Sequence, residues 1–340
     1  MDHRPSYFPL ELEQRSKTMG DERRRNPRPG LVLDVDRSTP PVLFHHGEGF
    51  RLEKLPAGRS RILYPPEPLP GLNNPDRHIR DALENPLGDS PPLSALLTPG
   101  MKLTIAFDDI SLPLPPMRAP DIRQRVIEAV LDLAAQQGVD DVHIIAALAL
   151  HRRMTESELR HAVGDRVYDA FAPSGHLYNH DAEDPEGMTI IGTTPHGEDV
   201  QMNRRAAESD LIVYVNINLV AMDGGWKSTA TGLSGYTALR HHHNPTTMVQ
   251  SRSFMDQDNS ELHKSNWRQG KVLRDSGIQI FQIETTVNNN TFGHDGPLAM
   301  MQKREWEWSL ADRAAFVGYQ TGLRRMKPST KRKIFNAWQS

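Results

Sequence analysis

Lys227 and His243 give the first sign of chemistry in this sequence. The lysine closes the stretch Asp223-Gly224-Gly225-Trp226-Lys227, and the histidine stands sixteen residues beyond it, last in a triple at 241–243. A primary amine can anchor a cofactor covalently or hold a phosphate. A neutral imidazole can ligate a borderline metal. Together they suggest a fixed organometallic or nucleotide-like cofactor; a glycine turn with a solvated lysine is the plainer alternative. Gly224 and Gly225 suit close backbone approach to an anion. Adjacent histidines in an extended segment point in opposite directions, so at most one or two of His241, His242 and His243 can face one ion. Neither a Walker-type loop around Lys227 nor a Gly-x-Gly-x-x-Gly fingerprint is present.

Other reactive groups follow apolar runs. Leu103–Phe107 leads into Asp108-Asp109, Val142–Leu150 leads into His151, and Leu211–Ile217 leads into the loop carrying Lys227. His151 could exchange a proton near neutral pH, or could be a strand-end histidine satisfied by a backbone carbonyl. Asp108-Asp109 reads as a turn or cap when taken alone. His180-Asp181 could fix a tautomer, but an ordinary surface turn explains it as well.

The elements that must position these groups alternate. The periodicity predicts a helix over 121–137, with Ile122, Val126, Val130, Leu133 and Ala134 on one face and Gly138 as its stop. Asp76 is a plausible N-cap for a short helix at 77–84, and Thr155-Glu156-Ser157-Glu158 is a capping box. Gly192–Gly197 reads as a hairpin-like loop. Buried parallel strands are continuous apolar runs. The expected fold class is therefore α/β, a mostly parallel sheet with helices on both faces. In such sheets ligands bind at the carboxyl ends of strands, where the three reactive groups fall. Residues 1–40 are expected to form a flexible arm and 41–270 the main domain. Ile278–Val287 is expected to open a second α/β domain over 271–340, shortened or truncated, with 305–340 mostly helical.

Composition narrows the function classes. The 340 residues carry a formal net charge of −3, so neither nucleic acid nor an anionic membrane is an implied partner. No stretch approaches the roughly 20 apolar residues of a membrane span, and 1–17 lack a signal-peptide core; a cytoplasmic location is expected. There are no cysteines, which excludes disulfides and cysteine-ligated zinc or iron–sulfur sites. Any sulfur donor to a metal must then come from a cofactor. Nothing in the sequence opposes a homo-oligomer.

Taken in order, the segments resemble the nickel-dependent lactate racemase family over roughly residues 80–290. Leu83-Glu84-Asn85-Pro86-Leu87-Gly88 looks like an early segment of that pattern, and Asp109–Pro113 resembles its Asp-x-x-Arg-Pro turn. Leu150-His151-Arg152-Arg153 is similar to its Gly-x-His-Arg-Pro segment. His180-Asp181, Ile191–Thr194 and Glu208–Ile212 follow in the family's order. Gly224-Gly225-Trp226-Lys227 resembles Ser-Gly-Gly-x-Lys, with His243 at the matching distance.

The resemblance implies a nickel-pincer nucleotide, attached through a thioamide to Lys227 and ligated by His243, with Gly224, Gly225 and Asp109 also at the cofactor. It implies His151 as one of two bases. The implied reaction is racemisation or epimerisation of a small 2-hydroxy acid by hydride abstraction and return. The chain departs from the pattern at the second histidine, which is Ile217 between Asn216 and Asn218. It departs again at the carboxylate-binding arginine, which is Leu112, and at Asp223 and Trp226 beside the lysine. A substrate other than lactate is therefore expected. Asn216, Asn218, His180 and Arg152 are candidates to replace the lost groups. A one-sided alcohol oxidoreductase and a non-catalytic binding or assembly relative are the alternatives. A hydrolytic zinc site on the histidine triple is a more distant one.

Overall fold

The apolar runs at 103–107, 142–150 and 211–217 become neighbouring strands of one parallel sheet. A computed structural model describes residues 32–46, 49–63, 70–110, 117–218, 224–254, 256–287 and 298–339. Leu112, Asp223 and most of the expected arm (1–31) lie outside the described residues. The site-bearing unit spans Gly71–Val287. In chain order it contains α1 (Pro75–Glu84), β1 (Lys102–Asp108), α2 (Ile122–Gln136), β2 (Asp141–Ala147) and α3 (Glu156–Val163). There follow β3 (Leu177–Asn179), the hairpin β4 (Met188–Thr193) and β5 (Asp199–Asn203), β6 (Leu211–Ile217), α4 (Trp226–Gly232), α5 (Glu261–Asp275) and β7 (Ile280–Thr285).

The five-stranded sheet has the order β7-β6-β1-β2-β3, and every pairing is parallel. Its strands read as unbroken apolar runs because both faces are covered. On one face Leu103, Ile105, Phe107, Val213 and Val215 pack with Val126, Ile127 and Val130 of α2 and Leu159 and Ala162 of α3. On the other, Ala106, Ile145, Ile212 and Tyr214 pack with Ala230 of α4 and Leu273 of α5. From β1 the chain winds outward through β2 to β3, then returns to place β6 on the opposite side of β1. The order therefore reverses between β1 and β6, the kind of switch point where ligands bind above strand ends.

Local signals explain most helix ends. Asp121 caps α2 by accepting from the backbone N–H of Arg123. Thr155 and Glu158 form the reciprocal capping box of α3. Helix α1 differs from expectation: Asn74, not Asp76, is the cap, and Pro75 takes the first helical position, where its missing N–H has no intrahelical partner to lose.

The C-terminal expectation also changes. The strand at Ile280–Thr285 pairs in parallel with β6 and completes the first sheet. Residue 271, the expected boundary, lies inside α5. The described residues of 32–70 and 298–338 group as a second unit. Within it, Val32–Asp34 pairs antiparallel with Arg61–Leu63, and Val42–His46 with Gly49–Glu53. Its core joins Met300, Trp308 and Phe316 to Leu43, Phe50 and Leu52. Among the described residues no helix is long and apolar enough to cross a membrane.

Trp226, the bulky residue before the lysine, has a structural account. Its ring lies against the backbone of α5 at Gly270, where an added Cβ would overlap it, and meets the Trp267 ring at a tilt, 4.9 Å between centroids. In an open helix interior, glycine to alanine stabilises by roughly 1 kcal/mol. Here the sign reverses: Gly270→Ala is expected to destabilise by about 1–3 kcal/mol through overpacking. Urea unfolding measures this, and unchanged or raised stability would contradict the packing described.

Candidate functional site

A cleft opens above the carboxyl ends of β1, β2 and β6. Asp108, Asp109, Ala149, His151, Tyr214, Asn216, Lys227 and Ser228 are among the residues that line it. The strand-end expectation thus brings His151, Asp109 and Lys227 together from three separate segments.

His151 is aimed by the turn that follows β2. Ala149 takes a left-handed conformation, φ 50°, unusual for a residue with a Cβ. Its N–H donates to the Gly232 carbonyl at 2.9 Å, and the His151 N–H closes the turn on Leu148 at 2.8 Å. The imidazole Nδ1 then lies 3.1 Å from Oδ2 of Asp109. Asp109 is 6% exposed. A carboxylate on one ring nitrogen fixes the tautomer and leaves the other nitrogen to exchange protons.

Arg123 holds this corner in place. Its guanidinium donates to the carbonyls of Asp108 at 2.8 Å and Asp109 at 3.2 Å. It also pairs with the helix cap Asp121 through Nε at 3.0 Å and Nη2 at 2.8 Å. Sequence reasoning passed over Arg123. It lies on the expected helix, but nothing in the helical pattern distinguishes an arginine turned inward at 4% exposure from a solvated one.

The hydrogen bond to Asp109 raises the pKa of His151 above the ordinary 6.5, against the opposing effect of partial burial. A raised histidine pKa stabilises the fold below pH 6.5, and that contribution fades as pH rises through the folded value. Half the side chain is exposed, so the expected readout is the titration itself. In proton NMR the His151 midpoint should lie above 6.5 and fall in Asp109→Asn; an unchanged midpoint would contradict the pairing.

Lys227 sits in the first turn of α4, and its Nζ lies 3.2 Å from Nε2 of His263 on α5. His263 is 4% exposed. Burial first, then the Lys227 charge, lowers its pKa, so it meets the amine as a neutral acceptor. His263 is a second residue that sequence reasoning missed, because thirty-six positions separate it from its partner.

The two glycines serve the lysine's placement. Gly224 has φ 97° and Gly225 φ 64°, and a Cβ on Gly224 would stand 2.9 Å from Oδ1 of Asn218 and 3.0 Å from Oε2 of Glu284. The expected anion cradle is not formed by their N–H groups. Gly224 donates to Oγ of Ser228 at 3.0 Å and Gly225 to Glu284 at 2.6 Å. A carboxylate on that N–H opposes a second anion at the same place.

The histidine triple diverges. His241 Nε2 accepts from the Asp199 N–H at 3.3 Å, and the His242 ring is fully buried. His243 shares a 2.8 Å Nδ1–Nδ1 contact with His242. Burial and then the proximity of His151 lower the His243 pKa. Burial, with the His243 charge second, brings His242 down to about 3. Both rings are therefore neutral at pH 7. His243 is exposed and is not among the residues that line the cleft. Among the described residues no group of three or more His, Asp or Glu could hold a metal by itself.

The candidate replacements for the lost groups are already engaged. Arg152 forks onto Glu158 at 2.9 and 2.8 Å. The Asn216 amide donates to Asn218 and to Glu284, both at 2.8 Å. His180 is buried and bonds the Ser234 carbonyl at 2.9 Å, so it is a core residue and not the surface turn expected. Ile217 is 2% exposed and offers the cleft no titratable group.

The chain is 24% identical over 212 residues to the lactate racemase of Thermoanaerobacterium thermosaccharolyticum, covering 56% of this chain and 46% of that one. It is 27% identical over 169 residues to the lactate racemase of Lactiplantibacillus plantarum, covering 48% and 37%. It thus spans less than half the length of either relative. The structure of the T. thermosaccharolyticum lactate racemase apoprotein aligns with a TM-score of 0.53 at 21% identity, covering 73% of this chain and 56% of that one; this likeness concerns the fold. The model of the lactate racemase N-terminal domain matches residues 46–256. On that match across more than half of its length, the chain belongs to the lactate racemase N-terminal domain family.

Proposed function

We propose that this chain is a racemase- or epimerase-like enzyme acting on a small 2-hydroxy acid other than lactate, with a nickel-pincer nucleotide as cofactor. The observation that carries the reading is the meeting of Lys227 and His151 in one cleft at a switch point. The residues suit the cofactor in two respects. Lys227 offers an amine beside a neutral acceptor, His263. His243 offers one neutral imidazole whose Nδ1 is fixed, and a chain without cysteine leaves the sulfur donors to the cofactor. When bound, such a group supplies a reversible two-electron acceptor for the hydrogen on the hydroxyl-bearing carbon. His151, held by Asp109, takes the hydroxyl proton and later returns it.

The test is expression in a host that makes the cofactor, followed by nickel quantification and mass analysis of the Lys227 peptide. Nickel with a mass adduct on that peptide is expected. Lys227→Ala should lose the adduct, and His243→Ala should lose nickel while keeping the adduct. Neither nickel nor adduct on the wild-type protein would reject the proposal. A one-sided alcohol oxidoreductase is the second reading, favoured by the burial of Ile217. Product chirality and solvent-deuterium incorporation separate the two.

A further inference from the structure

We infer that Asp108 is a second acid–base group of the cleft, exchanging a proton with the substrate hydroxyl from the β6 side while His151 acts from the β2 side. The inference deepens the racemase reading above and rests on it. Interconverting two hand-related substrates in one cleft is most easily served by proton exchange from two directions. Among the described residues, the cleft holds five titratable side chains: Asp108, Asp109, His151, Tyr214 and Lys227. Asp109 is buried against His151, and Lys227 faces His263. Tyr214 has its hydroxyl pushed well above the ordinary range, by burial first and the Asp108 charge second. Asp108 is the remaining group, and it is in the right place.

Asp108 ends the central strand β1, between His151 and β6. Its Oδ1 accepts from the Tyr214 hydroxyl at 3.0 Å, and its Oδ2 from the Ile217 N–H at 2.7 Å. Those bonds hold the carboxyl on the β6 side, where the Ile217 side chain itself turns into the core. Asp108 remains partly exposed, in contrast to buried Asp109. Burial raises its pKa to about 7, against the Ile217 N–H, the Tyr214 hydroxyl and the Arg123 guanidinium, and with help from the Asp109 charge. The remaining charged groups of the cleft, His151 and Lys227, come from the turn after β2 and from α4, and Glu284 on β7 acts on Tyr214. A carboxyl poised near neutrality can both accept and donate a proton at working pH. In the forward step the substrate O–H bond breaks and a carboxyl O–H bond forms on Asp108. The cofactor proposed above, when bound, would supply the two-electron acceptor for the carbon-bound hydrogen, so that the substrate would become a 2-keto acid. The return step reverses each transfer.

Asp108→Asn can keep both hydrogen bonds, with its oxygen toward Ile217 N–H and its amide toward the Tyr214 oxygen. In nickel-loaded form, this variant should interconvert enantiomers about 100-fold more slowly or worse, while one enantiomer still forms keto acid through His151. Interconversion within a few-fold of wild type would overturn the inference. Infrared titration of unloaded wild-type protein is independent of cofactor and of any variant. A carboxyl C=O band should titrate near pH 7 and vanish in Asp108→Asn; no carboxyl titrating between about pH 5 and 9 would overturn the inference without mutation. A nickel-loaded wild type that turns over no 2-hydroxy acid would reject the racemase reading and this inference with it. That failure is distinct, because it appears before any variant is compared.

Discussion

Replacing His151 with alanine is expected to lower turnover of the 2-hydroxy acid by about 10²–10⁴-fold, the range for loss of a positioned proton-transfer group. Nickel content and the Lys227 adduct should be unchanged, because the two proposed attachment points have their own partners, His263 for Lys227 and His242 for His243. Asp109→Asn should cost less. The imidazole would keep its place in the turn set by Ala149 and Leu148, but would lose the carboxylate that selects its tautomer and raises its pKa. The activity profile of Asp109→Asn should therefore shift its acid limb to lower pH, since a histidine with a lower pKa becomes a free base earlier as pH rises. Steady-state rates across about pH 5–9, with intact mass checked for each variant, measure both effects. Near wild-type turnover by His151→Ala would remove it from the reaction and leave it as a packing residue.

The parts of the site that were legible in the sequence share one property: they sit where a local pattern ends. Three apolar runs end in Asp108-Asp109, His151 and the loop before Lys227, and a parallel sheet buried on both faces must expose its strand ends together. What was not legible depends on which distant elements meet. The strand at 280–285 was recognised as a strand, but a run of alternating residues carries no mark of the sheet it joins, and it paired with β6. Asp109, expected at the cofactor, lies in the cleft and contacts a histidine forty-two positions away. Arg123, His263 and Glu284 are single polar residues inside ordinary helix or strand patterns. Their roles come from partners that only the fold supplies. Gly224 and Gly225 take positive φ, and their N–H groups turn to Ser228 and Glu284. A positive φ predicts a turn, not the direction in which its donors point.

Arg268→Ala is expected to destabilise the site-bearing unit by about 3–5 kcal/mol, because it strands a buried carboxylate. Glu198, at the tip of the β4–β5 hairpin, is 6% exposed. Its oxygens accept from Thr194 at 2.8 Å, Ser265 at 2.7 Å, and Arg268 Nε and Nη2 at 2.8 and 2.5 Å. Burial alone would raise its pKa, but those donors and the Arg268 charge bring it down to about 2 from 4.5. A depressed carboxyl pKa stabilises the fold above 4.5, and the contribution is lost as pH falls through about 2. Without Arg268 the burial effect prevails and the pKa rises. The variant should then lose less further stability below about pH 4 than the wild type does, although it starts lower. Urea unfolding at about pH 7 and pH 3 gives both numbers, and a Glu198→Gln, Arg268→Met double variant should recover part of the loss by removing both charges. The consequence reaches the site: Ser265 and Arg268 lie on α5 just past His263, the partner of the Lys227 amine. Loosening that end of α5 should raise the reactivity of Lys227 toward an amine reagent well below the denaturation midpoint, and a rise seen only with global unfolding would uncouple the ion pair from the lysine.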